Sequence, residues 1–121
     1  MMTLKDDPAG IEAYRRHHLK VWPEVLSSLR EVGVKEMEIH LLGRLAVMIV
    51  EMAEGRDFRE ALTAHASSGG RVAEWERLMR DLQEPADGAC GDERWVFMKQ
   101  VFHMNEQERA IDRLAESARA L

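Results

Sequence analysis

The chain has 121 residues, 45% of them hydrophobic and 32% charged, the balance of one soluble globular domain rather than of a disordered or fibrous chain. Seventeen Lys plus Arg against 22 Asp plus Glu leave a formal charge of -5, so no broad positive field is available to hold a nucleic-acid backbone or an anionic bilayer. Nucleic acid and membrane are accordingly set aside as partners.

Met1 to Lys5 supplies only a short strand and holds no signal-peptide core. Asp6-Asp7-Pro8 then offers a cap residue followed by proline, which the first helical turn tolerates, so a helix starts there. Ile11, Tyr14, His18, Val21, Trp22, Val25, Leu29 and Val32 recur at steps of three and four, the pattern of one face turned to a core. Pro23 lacks the amide donor and disfavours helical geometry before it, which predicts a break near Lys20 to Trp22 and a restart at Pro23-Glu24. Gly33 ends the element.

Val34 to Leu42 alternates partially, Gly43-Arg44 turns the chain, and Leu45 to Met52 is apolar except for Glu51, which together predict a hairpin. The run Leu45 to Val50 is far short of a membrane span, but it is apolar on both faces, so both faces need cover. Arg56 to His65 reads as a short helix, and Ser67-Ser68-Gly69-Gly70 as a turn. Val72, Trp75, Leu78, Met79 and Leu82 restore helical spacing until Pro85. Residues 84 to 93 form a loop that contains the single cysteine, Cys90; with no second thiol for a disulfide or a metal, it fits a reducing compartment, and the protein is expected in the cytoplasm. Arg94 to His103, rich in aromatic and branched residues, is predicted as the last strand. Met104 to Leu121 reads as an amphipathic C-terminal helix.

This order is the split βαβ arrangement of an α+β, ferredoxin-like domain, with residues 1–103 as the domain and 104–121 as a helical extension. Such a domain exposes its other sheet face unless a second copy covers it, so the strand at Leu45 to Val50 argues for a homodimer.

Tyr14 and His18, four residues apart, stack on one side of a helix within its apolar stripe. An imidazole gives and takes a proton near neutrality, and a phenol beside it can orient a hydroxyl. The plainer alternative is a buried pair satisfied by backbone groups. Trp75 combines a flat apolar face with an N–H donor, which suits a sugar ring, although the same spacing serves core packing; Glu76 is its neighbour. Trp22 shares this ambiguity, and Trp95 reads as core. Glu51, set among apolar strand residues, is either an acid whose pKa burial would raise or a strand-end carboxylate in solvent. His17 projects about 100 degrees away from His18, and His40 shares a strand face with Glu36 and Glu38, so both are poorer candidates. There is no HExxH, no Cys and His cluster at ligand spacing, no phosphate-binding loop and no G-x-S-x-G. No metal or other cofactor is expected.

Tyr14-Arg15-Arg16-His17-His18-Leu19-Lys20-Val21-Trp22-Pro23-Glu24 resembles the signature helix of the L-rhamnose mutarotase family. Gly33, the Met37-Glu38-Ile39 strand, Leu45 to Glu51, and Trp75 with Met79 align in order. The Met37-Glu38-Ile39 and Glu74-Trp75-Glu76 wording is more similar to the branch associated with L-fucose mutarotase. The resemblance implies a cofactor-free dimeric aldose 1-epimerase that interconverts the α and β anomers of a 6-deoxy-L-sugar on a dimeric ferredoxin-like barrel. It implies His18 as catalytic acid/base and Tyr14 and Trp75 as sugar contacts. Met37 stands where rhamnose enzymes place a second sugar-binding tyrosine, and Glu76 where they place a second tryptophan. Glu51 and Glu76 are the acids considered as counterparts to His18. The competing readings are a small cofactor-free monooxygenase and a non-catalytic dimeric module that binds sugars or small acids.

Overall fold

The structure, a computed structural model, describes residues 1–87 and 93–120. Residues 88–92 of the loop read at 84 to 93, Cys90 among them, lie outside the described residues.

Helix α1 spans Pro8–Leu19 and begins as the sequence requires: the Asp7 carboxylate accepts from the Ala9 amide at 3.2 Å, and Pro8 occupies the first turn, where its missing donor costs nothing. Pro23 holds Trp22 in extended geometry (φ -60°, ψ 137°), so the chain breaks and resumes as α2, Pro23–Glu31. Gly33 follows with φ 101°, a value that only glycine adopts cheaply. A Cβ there would lie 2.9 Å from the Arg56 side chain, whose guanidinium donates to the Val32 carbonyl.

Strands β2 (Val34–Leu42) and β3 (Leu45–Met52) form the hairpin, with Gly43 at φ 57° in the first position of the two-residue turn. Register pairs Met37 with Val50, Ile39 with Met48 and Leu41 with Ala46, which sets these residues on the helix-covered face. Strand β1 (Met2–Thr3) pairs with the other edge of β3, giving the order β1-β3-β2. Helices α3 (Phe58–Ala66, capped by Asp57) and α4 (Gly70–Leu82) complete the layer. The core joins Met2, Leu4, Tyr14, Val25, Ala46, Trp75 and Met79.

Arg94 to His103 is not a strand. Val96 exchanges both backbone bonds with Met1 at 2.9 Å. Aromatic and branched residues favour a strand only where an edge exists to receive them, and the adjacent edge, β1, is two residues long. The outer edge of this first segment is bonded by Glu84 at Thr3, by Leu82 at Lys5 and by Val96 at Met1, and the fold is the expected α+β arrangement. Among the described residues, none covers the second face of β3 at Ile49, which is exposed. Helix α5 (Met104–Ala120) is present as expected, and its Ile111 and Leu114 are also exposed. Among the described residues, no helix is long and apolar enough to cross a membrane.

Candidate active site

Tyr14 and His18 lie one turn apart on the inner face of α1, and their rings meet at 4.2 Å between centroids. His18 Nδ1 is 2.7 Å from the Tyr14 carbonyl oxygen. A carbonyl only accepts, so Nδ1 carries the proton and Nε2 is left as the nitrogen that takes up or releases one. Burial pulls the His18 pKa below its ordinary value; the bond to the Tyr14 carbonyl opposes this, and the charge of His17 reinforces it. The ring is therefore neutral at neutral pH, with a basic lone pair on Nε2. Tyr14 is 3% exposed, and burial raises its pKa far above the usual phenol range, so its hydroxyl stays protonated and able to donate.

The Trp75 ring stands edge-on to His18 at 5.5 Å and to Trp22 at 5.2 Å. The Arg71 guanidinium caps Trp22 at 3.6 Å from its centroid, a cation–π contact that fixes the tryptophan pair. His17 touches only the edge of Trp75, at 6.2 Å. Tyr14, His18 and Trp75, but not Trp22 or His17, border a cavity of about 760 Å³, within the range of about 300–1,000 Å³ usual for small-molecule sites. Tyr14, His18, Met37, Trp75 and Glu76 all line it.

Glu51 is not brought to this group. Its register with Glu36 puts it on the uncovered side of the sheet, where its side chain is 63% exposed and lies 3.4 Å from Lys35 Nζ. Of the two sequence readings for Glu51, the structure shows the solvent-facing carboxylate. His40 is likewise exposed on that face. Trp95, read as core, is half-buried and borders the cavity as well as packing on the core.

Sequence reasoning missed His65. It lies on α3, only 2% exposed, and lines the cavity beside Glu76. Its Nδ1 is 2.8 Å from Ser28 Oγ, and its Nε2 is 3.3 Å from Glu76 Oε1. The available signal was spacing, because Phe58, Ala61 and His65 recur at steps of three and four along α3. Among the described residues, no three His, Cys, Asp or Glu side chains converge as a metal site. What lines the cavity together is an imidazole, a phenol, an indole and a carboxylate. That set can hold a polyhydroxylated ring by its faces and rim while moving one of its protons.

The sequence pattern of a family described as L-rhamnose mutarotase matches residues 1–104. The chain is 36% identical over 109 residues to an L-fucose mutarotase of Xanthomonas campestris pv. campestris, covering 88% of this chain and 86% of that one. It is 27% identical over 100 residues to an L-rhamnose mutarotase of Sinorhizobium fredii, covering 82% and 90% respectively. A similar match, 26% over 98 residues, covers 80% of this chain and 88% of an L-rhamnose mutarotase of a Jannaschia species. The chain therefore belongs to the L-rhamnose mutarotase family, isomerases that act on carbohydrates.

Proposed function

We propose that the protein interconverts the α and β anomers of a 6-deoxy-L-sugar, L-fucose in preference to L-rhamnose, by general acid/base catalysis without a cofactor. The observation that supports this best is the tautomer of His18: the Tyr14 carbonyl occupies Nδ1, and Nε2 remains as a base in a cavity walled by Tyr14 and Trp75. In the forward step, Nε2 takes the proton of the anomeric hydroxyl. The O–H electron pair becomes the carbonyl π bond, the bond from the anomeric carbon to the ring oxygen breaks, and the ring oxygen acquires a proton from water. Rotation of the aldehyde and the reverse sequence on its other face give the second anomer, with His18 neutral again. The reaction already proceeds slowly in water, so a factor of about 10²–10⁴ from one positioned acid/base group is a useful acceleration.

Tyr14 donates to a sugar oxygen, Trp75 covers an apolar face of the ring, and Met37 replaces a polar contact with an apolar one. Of the acids considered as counterparts to His18, Glu76 lies at the cavity and Glu51 does not, so we place Glu76 on the sugar. The relative from Xanthomonas and the methionine at position 37 favour L-fucose. Exposed Ile49 on the sheet, together with Phe97, Met98, Val101 and Phe102, supports a homodimer. The lone cysteine supports a cytoplasmic setting. The family match stops at residue 104, where α5 begins, in keeping with a mutarotase unit of residues 1–103 and a separate C-terminal addition.

Saturation-transfer NMR between the anomeric resonances of L-fucose and of L-rhamnose tests the reading. Catalysed exchange is expected with both sugars and is faster with L-fucose. Line broadening without transfer would identify a binding module, and quinone turnover without anomeric exchange would identify a monooxygenase.

A further inference from the structure

Ser28 on α2, His65 on α3 and Glu76 on α4 come from three separate helices, yet they meet in one line that ends at the cavity. Ser28 and His65 are buried, at 7% and 2% exposure, whereas the Glu76 side chain is 39% exposed and reaches the cavity. A fully enclosed imidazole is costly unless both nitrogens are satisfied. Here Nδ1 meets the Ser28 hydroxyl at 2.8 Å, and Nε2 lies 3.3 Å from a carboxylate oxygen. Shape filling alone would leave this position to leucine. The mechanism above uses Glu76 but gives no function to the two buried groups behind it.

We propose that His65, its Nε2–H turned to the Glu76 carboxylate and its Nδ1 met by the Ser28 hydroxyl, is a positioning residue that fixes that carboxylate as an acceptor for a sugar hydroxyl. An ionised carboxylate only accepts, so in this arrangement the Nε2 that faces Glu76 carries the proton. In the neutral ring Nδ1 is then a lone pair, and Ser28 Oγ–H donates to it. Ser68 Oγ lies 3.4 Å from Ser28 Oγ and donates to the Ala64 carbonyl, so with both hydroxyl protons committed the two serines meet as a packing contact. One carboxylate oxygen is thus engaged by the protein, on a side chain that lines the cavity. A side chain with three rotatable bonds is held before the sugar arrives, which lowers the entropy cost of binding. The assignment rests on the mutarotase reading for the identity of the ligand, but the tautomer does not depend on it.

Because the contact exists in ground and transition states alike, its loss weakens binding more than turnover. The tests use the full-length protein with ¹⁵N-labelled histidine and L-fucose. Long-range ¹H–¹⁵N NMR of the sugar-free protein should show His65 protonated on Nε2 only, and Ser28→Ala, which removes the donor to Nδ1, should move the Nδ1 resonance while the proton stays on Nε2. His65→Leu should raise KM for anomeric exchange about 10- to 100-fold, as expected for a hydrogen bond to a charged group, and move kcat less than about threefold. His65→Gln, whose amide nitrogen overlays Nε2 and can still donate, should restore KM to near the native value. In the Glu76→Gln background, His65→Leu should have no further effect on KM. An Nδ1–H signature for His65, equal KM for the Leu and Gln variants, or additive losses in the double variant would each overturn the proposal. If His65→Leu fails to fold, the Ser28→Ala signature and the Gln variant still decide. Absence of catalysed exchange in the wild-type protein, with the Nε2–H signature intact, would sink the mutarotase reading while supporting the arrangement of the three side chains.

Discussion

Replacing His18 with asparagine isolates the proposed chemistry more cleanly than alanine does. The asparagine amide overlays the Nδ1 side of the ring, so it can still donate to the Tyr14 carbonyl that His18 Nδ1 meets at 2.7 Å. What disappears is Nε2, the only ring position that the structure leaves for proton exchange. If His18 is the principal acid/base, the expected loss in exchange rate is about 10²–10⁴-fold, equivalent to about 3–5 kcal/mol of transition-state stabilisation. Stability should change little, because the ring is only half-buried and its main hydrogen bond survives. The assay is saturation transfer between the anomeric protons of L-fucose at several enzyme concentrations, with near-ultraviolet circular dichroism of the Trp22–Trp75 pair reporting the native packing. A folded His18→Asn variant that exchanges anomers within about threefold of wild type would refute the assignment, since the tenth part of an acid/base effect is outside that margin.

The pH profile is set by burial of the same ring. Neutral imidazole is the active base and its folded pKa lies below the ordinary value, so kcat/KM should hold its plateau below about pH 6.5 and fall only as pH drops through the lowered value. A fall centred at or above that ordinary value would count against it. The sign for stability is the same, because the unfolded chain binds more protons: the His18 contribution is fully present above about pH 6.5 and is lost as pH falls through the native pKa, readable from urea midpoints between pH 5 and 8. Gly33→Ala combines a φ of 101° with a Cβ 2.9 Å from the Arg56 side chain; it should cost at least about 1–3 kcal/mol in denaturant unfolding, and a neutral change would show that the turn relaxes. Trp75→Ala removes a side chain that is 5% exposed and contacts both His18 and Trp22; a loss of about 3–5 kcal/mol in stability is expected, with weaker sugar binding in whatever fraction stays folded. Met37→Tyr brings a hydroxyl to the cavity wall and should shift the ratio of L-rhamnose to L-fucose exchange by up to about tenfold toward L-rhamnose, the worth of one hydrogen bond; an unchanged ratio would remove position 37 from sugar selection.

Local chemistry in the sequence determined much of this protein. Asp7 and Pro8 start α1, Pro23 breaks and restarts the helix, and Gly43 turns a hairpin whose limits the structure reproduces at Val34–Leu42 and Leu45–Met52. These signals act over a few residues, through a cap, a missing amide or a permitted φ, so they are visible without a tertiary neighbour. The stacking of Tyr14 and His18 was legible for the same reason, since four residues make one helical turn. The strand expected at Arg94 to His103 failed because pairing belongs to an edge elsewhere in the chain, and β1 offers only two residues. The two readings of Glu51 needed the register of β3 against β2 to choose between them. His65 shows the limit most clearly: its partners, Ser28 and Glu76, are 37 residues before it and on the following helix, so no window of sequence holds the three together. Only the packing of α2, α3 and α4 into one layer brings them into line at the cavity.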